Sequence, residues 1–258
     1  MLNDAHIKQL SGTLLSLVLA GGAASVAAGS TLPDPLVLGV SYVVPPHKPG
    51  AKVRTPEGMA PLLIEHLNKR VPVQPVTATA VDAQLVSLDT QSRQKLRSEG
   101  ATVIPTGYQA GIMAIMRTDT DIKRWEDLRG RTVCLAEGSL LAGTMQARYG
   151  ATEKVFRAPA DSLLDLRIGG CDAAVHDSTM LKALLEFPEW QKFSAQLPVQ
   201  NERDLVFVVA EGSASLADAL RSEVAQWQHA DLLTKLTRQA VQDIAFEVYM
   251  DQEVPDCH

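Results

Sequence analysis

The chain has 258 residues, 46% hydrophobic and 21% charged, which is enough to bury a core in one large domain or two modest ones. A formal charge of −6 with only 5% aromatic residues excludes a basic, aromatic-lined nucleic-acid surface, which needs clustered Lys and Arg. Cys134, Cys171 and Cys257 have no CxxC or HxxxH beside them, so their spacing matches no zinc site.

Residues 1–28 read as a cleavable export signal. Lys8 supplies a weakly positive start and Leu10 to Ala20 an apolar run, and Val26-Ala27-Ala28 is the cleavage box before Gly29. A retained anchor is the alternative, but Gly21, Gly22 and Ser25 break the run short of the ~20 apolar residues that spanning needs. An exported chain meets an oxidising compartment where cysteines pair. Beyond residue 30 no stretch is apolar for long enough to cross a bilayer.

Residues 36–40 (LVLGV) form the first buried strand, and a Pro- and Lys-rich loop follows as far as Gly58. In 59–69, Leu62, Leu63, Ile64 and Leu67 share one helical face. VPVQPV (71–76) is a strand whose prolines point to a sheet edge. Only TATAVD separates it from the strand AQLVSL at 83–88. GIMAIM (111–116) reads as a strand buried on both faces, and Asp121–Leu128 as a short helical turn. TVCLA (132–136) is a strand, with a helix expected directly after Glu137-Gly138-Ser139. Asp161 is the expected N-cap of a helix over 161–168, stopped by Gly169-Gly170. CDAAVHD is the next strand, and STMLKALLEF a helix ended by Pro188. A strand at 205–210 and helices at 213–226 and 230–244 complete the chain. Strands alternating with helices predict an α/β fold built on parallel sheets.

Two stretches carry a resemblance. Glu126-Asp127-Leu128-Arg129-Gly130-Arg131-Thr132-Val133 leads into Glu137-Gly138-Ser139, and Gly170-Cys171-Asp172-Ala173-Ala174-Val175-His176-Asp177 follows the intervening helix. In this order they resemble the second lobe of the amino-acid-type periplasmic solute-binding proteins of ABC importers. The resemblance implies a two-lobed periplasmic-binding-protein-like fold with a reduced first lobe. Lobe one is expected at 29–112 plus 205–258, and lobe two at 113–204. The reduction is visible in the missing helix at TATAVD and in Gly58-Met59-Ala60-Pro61-Leu62-Leu63, where the family carries an acidic residue.

The implied function is a periplasmic, monomeric receptor that captures a small ligand, an amino acid, for an ABC permease in the inner membrane, without cofactor or metal. Asp177 at a strand end is the expected partner of an α-ammonium, and equally an N-cap for the helix after it. Gly138 and Ser139, at a helix start, offer amides to a carboxylate. Arg93, with Arg97 as the alternative, is expected to fork onto that carboxylate. Ser87 adds a hydroxyl, and Tyr42 and Tyr108 either cover the ligand or pack. The resemblance also implies a Cys134–Cys171 disulfide, with two buried thiols as the alternative and Cys257 left over. Two other readings stay open. One is a dehydratase-like enzyme on the same scaffold, for which Glu137 and His176 are the nearby acid–base candidates, although strand alternation turns His176 away from Asp177. The other is a degenerate cleft that docks a protein partner.

Overall fold

The apolar runs become the strands of one sheet, in the spatial order Val73–Val76, Leu36–Val40, Ala83–Leu88, Gln200–Val209, Thr102–Met116, Ala173–Asp177, Thr132–Ala136 and Thr152–Phe156. The computed structural model describes residues 31–252, so the expected export signal and Cys257 lie outside the described residues. The strands are β1 Leu36–Val40, β2 Val73–Val76, β3 Ala83–Leu88, β4 Thr102–Met116, β5 Thr132–Ala136, β6 Thr152–Phe156, β7 Ala173–Asp177, β8 Ala195–Gln196 and β9 Gln200–Val209. The helices are α1 Met59–Asn68, α2 Thr90–Ser98, α3 Met145–Tyr149, α4 Pro159–Arg167, α5 Ser178–Leu184, α6 Ala214–His229 and α7 Leu232–Asp251.

Two long strands join two lobes. Residues 102–105 of β4 pair antiparallel with 206–209 of β9 in the first lobe, whereas residues 112–115 pair with β7 in the second. Sequence alone predicts only 111–116 as strand and 205–210 for β9. The longer β4 is irregular where Pro105 brings no N–H and Gly107 takes φ +92. Thr106 Oγ1 bridges the gap by donating to Leu205 O at 2.8 Å and accepting from Tyr108 N at 3.2 Å. Such a bulge re-aims side chains without ending the strand.

In the first lobe, α1 and α6 cover one face through Leu63, Leu67, Leu220 and Trp227 against Leu38, Leu85 and Phe207. The other face is thin: Val103, Val206 and Val208 are covered by little more than α2 and its Leu96. In the second lobe, α4, α5 and α7 pack on one face and residues 122–145 on the other. The chain is an α/β fold of two lobes, the first reduced.

The reduction has a specific device. β2 and β3 both run parallel to β1, on opposite sides of it, and residues 77–82 cross over β1 with no helix. They cross at Gly39, where an added Cβ would stand 3.1 Å from Val81 and 3.2 Å from the Ala78 carbonyl. Asp82 pins the crossing, accepting from Val37 N at 2.7 Å and returning its own N–H to Val37 O. Proline-bearing β2 lies at the sheet edge, as its sequence predicts.

Several local expectations are corrected. The charged stretch after β3 is a helix, capped by Asp89 accepting from Ser92 N at 2.7 Å. Helix α4 begins at Pro159 with Ala158 before it, because Pro suits a first turn; Asp161 is inside that turn, not its cap. Nor is 205–258 wholly first-lobe: α7 starts against that core with Leu233 and Leu236, then carries Val241, Ile244 and Val248 into the second. Cys134 and Cys171 are disulfide-bonded with Cα atoms 5.9 Å apart. Asp165 lies beside both sulfurs, but their bond leaves it alone as an acidic ligand, and it pairs with Lys154 at 3.1 Å. No helix among the described residues is long and apolar enough to cross a membrane.

Candidate functional site

A cavity of about 110 Å³ opens where the lobes meet, at the middle of β4. Six of the eight residues expected to bind ligand line it: Tyr42, Ser87, Tyr108, Gly138, Ser139 and Asp177. Arg93 and Arg97 do not. Helix α2 carries Arg93 onto Asp204, 2.6 Å away, and Arg97 into solvent. With Nη2 on Asp204 and the Thr90 hydroxyl, the Arg93 guanidinium is held away from the cavity.

Asp177 ends β7 and caps α5, the helix-cap role expected of it. Its Oδ1 caps the helix, accepting from Thr179 N at 2.8 Å and Met180 N at 3.2 Å, while the carboxylate edges the cavity. Burial, with the nearby Glu57 charge adding to it, pushes its pKa up to about 6. Two backbone N–H bonds and the Tyr108 hydroxyl oppose the rise without cancelling it. The phenol of Tyr108 is in turn pushed well up, by burial first and then by Asp177. A carboxylate in this state gains from any cation placed against it.

The helix expected after Gly138-Ser139 does not start there. Gly138 (φ +84) and Gly143 (φ +80) are left-handed, and residues 140–144 form turns that delay α3 to Met145. Glu153 takes the amides that result, accepting from Gly143 N and Met145 N at 2.6 Å each. The Ser139 N–H donates to Ala136 O at 3.1 Å. Gly138 and Ser139 therefore lie on a turn ahead of the helix, not at its first turn, and the Ser139 amide is internally bonded. Gly138 serves differently: the Tyr42 ring lies so close that an added Cβ would meet it at 2.8 Å.

Residues missed in the sequence complete the site. The 18-residue connection from Ser41 to Gly58 runs across to the second lobe and to α7 as a strap. Tyr42 donates to Glu137 Oε2 at 2.7 Å, and burial, with that hydrogen bond adding to it, pushes the phenol up to about 12. Arg54 pairs with Asp161 at 2.9 Å and with Asp251. Thr55 donates through N and Oγ1 to Glu247 Oε1 at 2.9 and 2.8 Å. Glu57 accepts from Asp177 N at 3.1 Å and contacts His176 Nδ1 at 2.7 Å. Ser162 holds the other ring nitrogen of His176 at 2.5 Å and itself donates to Pro159 O. His176 does face α4, opposite to Asp177, yet Glu57 joins both to one cavity wall. Glu137, the other acid–base candidate, is engaged by Tyr42.

Arg203, on β9, also lines the cavity and was missed. Strand alternation places it in line with Leu205, Phe207 and Val209, which are first-lobe core. An arginine on the inward face of a strand is the signal that was available. No comparable signal marks Glu57, which precedes α1 in an irregular loop.

No family model and no curated protein matches the chain. Among solved structures, a mutant of ArgBP from T. maritima aligns at TM-score 0.51 and 20% identity, over 81% of this chain and 95% of that one. The ancestral amino acid-binding protein AncCDT-1, a precursor of cyclohexadienyl dehydratase, aligns at TM-score 0.50 and 18% identity, over 81% and 96%. These likenesses are of fold: the chain has the two-lobed fold of periplasmic binding proteins.

Proposed function

We infer that this protein is a periplasmic solute-binding receptor that takes a small ligand, an amino acid, into the cavity between its lobes and presents it to an ABC permease. The supporting observation is Asp177, a largely buried carboxylate at the cavity wall that is ion-paired with none of the described residues and whose pKa is raised to about 6. A ligand ammonium supplies the missing counter-charge. Both lobes contribute lining residues, so a ligand there draws them together, the hinge closure through which two-lobed binders signal occupancy.

Calorimetric titration of the full chain with the common amino acids tests this reading. Saturable heats with at least one of them are expected. Asp177→Ala should then cost on the order of 2–5 kcal/mol of binding, since it removes one half of a buried charge pair. No heat with any amino acid would end the receptor reading.

One observation favours a second reading, an enzyme on the same scaffold. A cavity carboxylate with its pKa at about 6, beside the Tyr108 hydroxyl, is tuned for proton transfer near neutral pH. Conversion of a bound ligand, followed by mass spectrometry and lost in Asp177→Asn, separates catalysis from capture.

A further inference from the structure

The charges facing the cavity make an unusual inventory. Arg203 is the one guanidinium or ammonium among its described lining residues. It makes no ion pair among the described residues, and its recorded contact is Nη1 donating to the Ser87 carbonyl at a long 3.5 Å. Asp89, the acid within its electrostatic reach, is engaged by the Ser92 N–H. Arg93, one helix away, is closed off by Asp204. A half-buried cation without a counter-charge, at the wall of a cavity, is a costly arrangement unless something anionic arrives.

Its position relative to Asp177 is set by the sheet. Arg203 sits opposite Ala110 on β4, and Asp177 sits opposite Ile112 on the other side of the same strand. Strands are ~4.8 Å apart, so the two α-carbons flank β4 at roughly 10–12 Å. A long arginine side chain and a short aspartate reach from those points toward a common centre over β4. The cavity thus has one cationic pole and one anionic pole, at a separation that suits a zwitterion.

What remains of the wall has no further charge to give. Glu57 is held by His176 and the Asp177 N–H, and the remaining wall is uncharged, mixing the apolar Val40, Leu85 and Leu205 with the hydroxyls of Ser41, Ser87 and Ser139. At roughly 10–15 Å³ per water-sized group, the cavity accepts about 7–11 non-hydrogen atoms. Valine and leucine fall in that range, alanine is smaller, and arginine exceeds it. A guanidinium or carboxylate side chain would also be buried without a partner.

Building on the receptor reading, we propose that Arg203 anchors the ligand carboxylate and that the ligand class is a zwitterionic amino acid with a small, uncharged aliphatic side chain. The carboxylate anchor has moved from helix α2 to strand β9, because Asp204 draws Arg93 away from the cavity.

The test is calorimetry on the full chain with alanine, valine, leucine, arginine and glutamate, and with isobutylamine, which is valine without its carboxylate. Valine or leucine should bind at least a hundredfold more tightly than arginine or glutamate. Arg203→Ala should weaken valine at least a hundredfold and leave isobutylamine unchanged, and Arg203→Lys should fall between. Tighter binding of arginine or glutamate would overturn the ligand class while leaving the receptor reading intact. Silence with every compound would remove the receptor reading itself. Valine binding equally well to wild type and Arg203→Ala would overturn the anchor. Should Arg203→Ala not fold, the wild-type difference between valine and isobutylamine decides instead: equal affinity means that no carboxylate anchor exists.

Discussion

The Glu57 carboxylate, from the strap ahead of α1, meets Nδ1 of His176 at 2.7 Å, across 119 residues of sequence and across the boundary between the lobes. Both side chains are all but excluded from solvent, at 6% and 0%. The second oxygen of Glu57 accepts the Asp177 N–H. One carboxylate therefore links the strap, the buried histidine and the cavity aspartate.

Removing that carboxylate leaves the imidazole and the Asp177 amide without their acceptor. Glu57→Ala is expected to cost on the order of 3–5 kcal/mol of stability, as for other broken buried pairs. Glu57→Gln keeps an amide oxygen as acceptor and should cost less. Urea unfolding of the three proteins checks the order, and equal midpoints would show that the contact contributes nothing.

Asp177 sets a pH dependence whose sign follows from its pKa of about 6 against an ordinary value of 3.8. The fold favours the protonated acid, so the stabilisation it contributes is fully present below the ordinary carboxylate range and is lost as pH rises through about 6. At ~1.4 kcal/mol per unit the effect is about 3 kcal/mol. Other carboxylates have the opposite slope, among them Asp127 and Asp251, which hydrogen bonds hold below their usual range. The difference between wild type and Asp177→Asn, in denaturant melts from pH 4 to 8, isolates the contribution, because Asn still caps α5.

Ligand affinity runs the other way. An ammonium needs the ionised carboxylate, so binding should weaken as pH falls below about 6, by up to tenfold per unit. Titrations at pH 5, 6 and 7 read this directly, and an affinity independent of pH would remove Asp177 as the ammonium partner.

Gly39→Val tests the crossing that replaces the first-lobe helix. Its Cβ alone would stand 3.1–3.2 Å from Val81, Gln84 and the Ala78 carbonyl, and the two methyls add to the crowding. A loss of about 1–3 kcal/mol is expected from overpacking. Gly130→Ala, where an added Cβ meets nothing within 4 Å but φ is +73, samples backbone strain alone and serves as the contrast. Thermal melts compare the two.

The Cys134–Cys171 bond spans 37 residues, which in the chain-entropy account corresponds to about 4 kcal/mol of stability. Denaturant melts with and without reductant should show that difference. Peptide mapping of unreduced protein should recover the two cysteines in one linked pair.

Residue order alone determined most of the strands and helices, though not β6, β8 or α2, together with the edge position of β2, the short crossing after it and the second-lobe motif that led to Asp177. Each of these rests on local patterns: apolar runs, a proline that cannot donate, too few residues for a helix. The tertiary structure decided the charges. Pro105, Thr106 and Gly107 look like a turn, yet β4 passes through them because Thr106 substitutes its hydroxyl for a backbone partner. Arg93 has the right chemistry for a ligand anchor, and only the approach of β9, with Asp204 on it, reveals that it is occupied. Glu57, His176 and Arg203 meet around one cavity because β4 holds strands from both lobes side by side. Periodicity reports whether a side chain faces inward; which charge it finds there depends on how distant segments are stacked, and no local pattern encodes that.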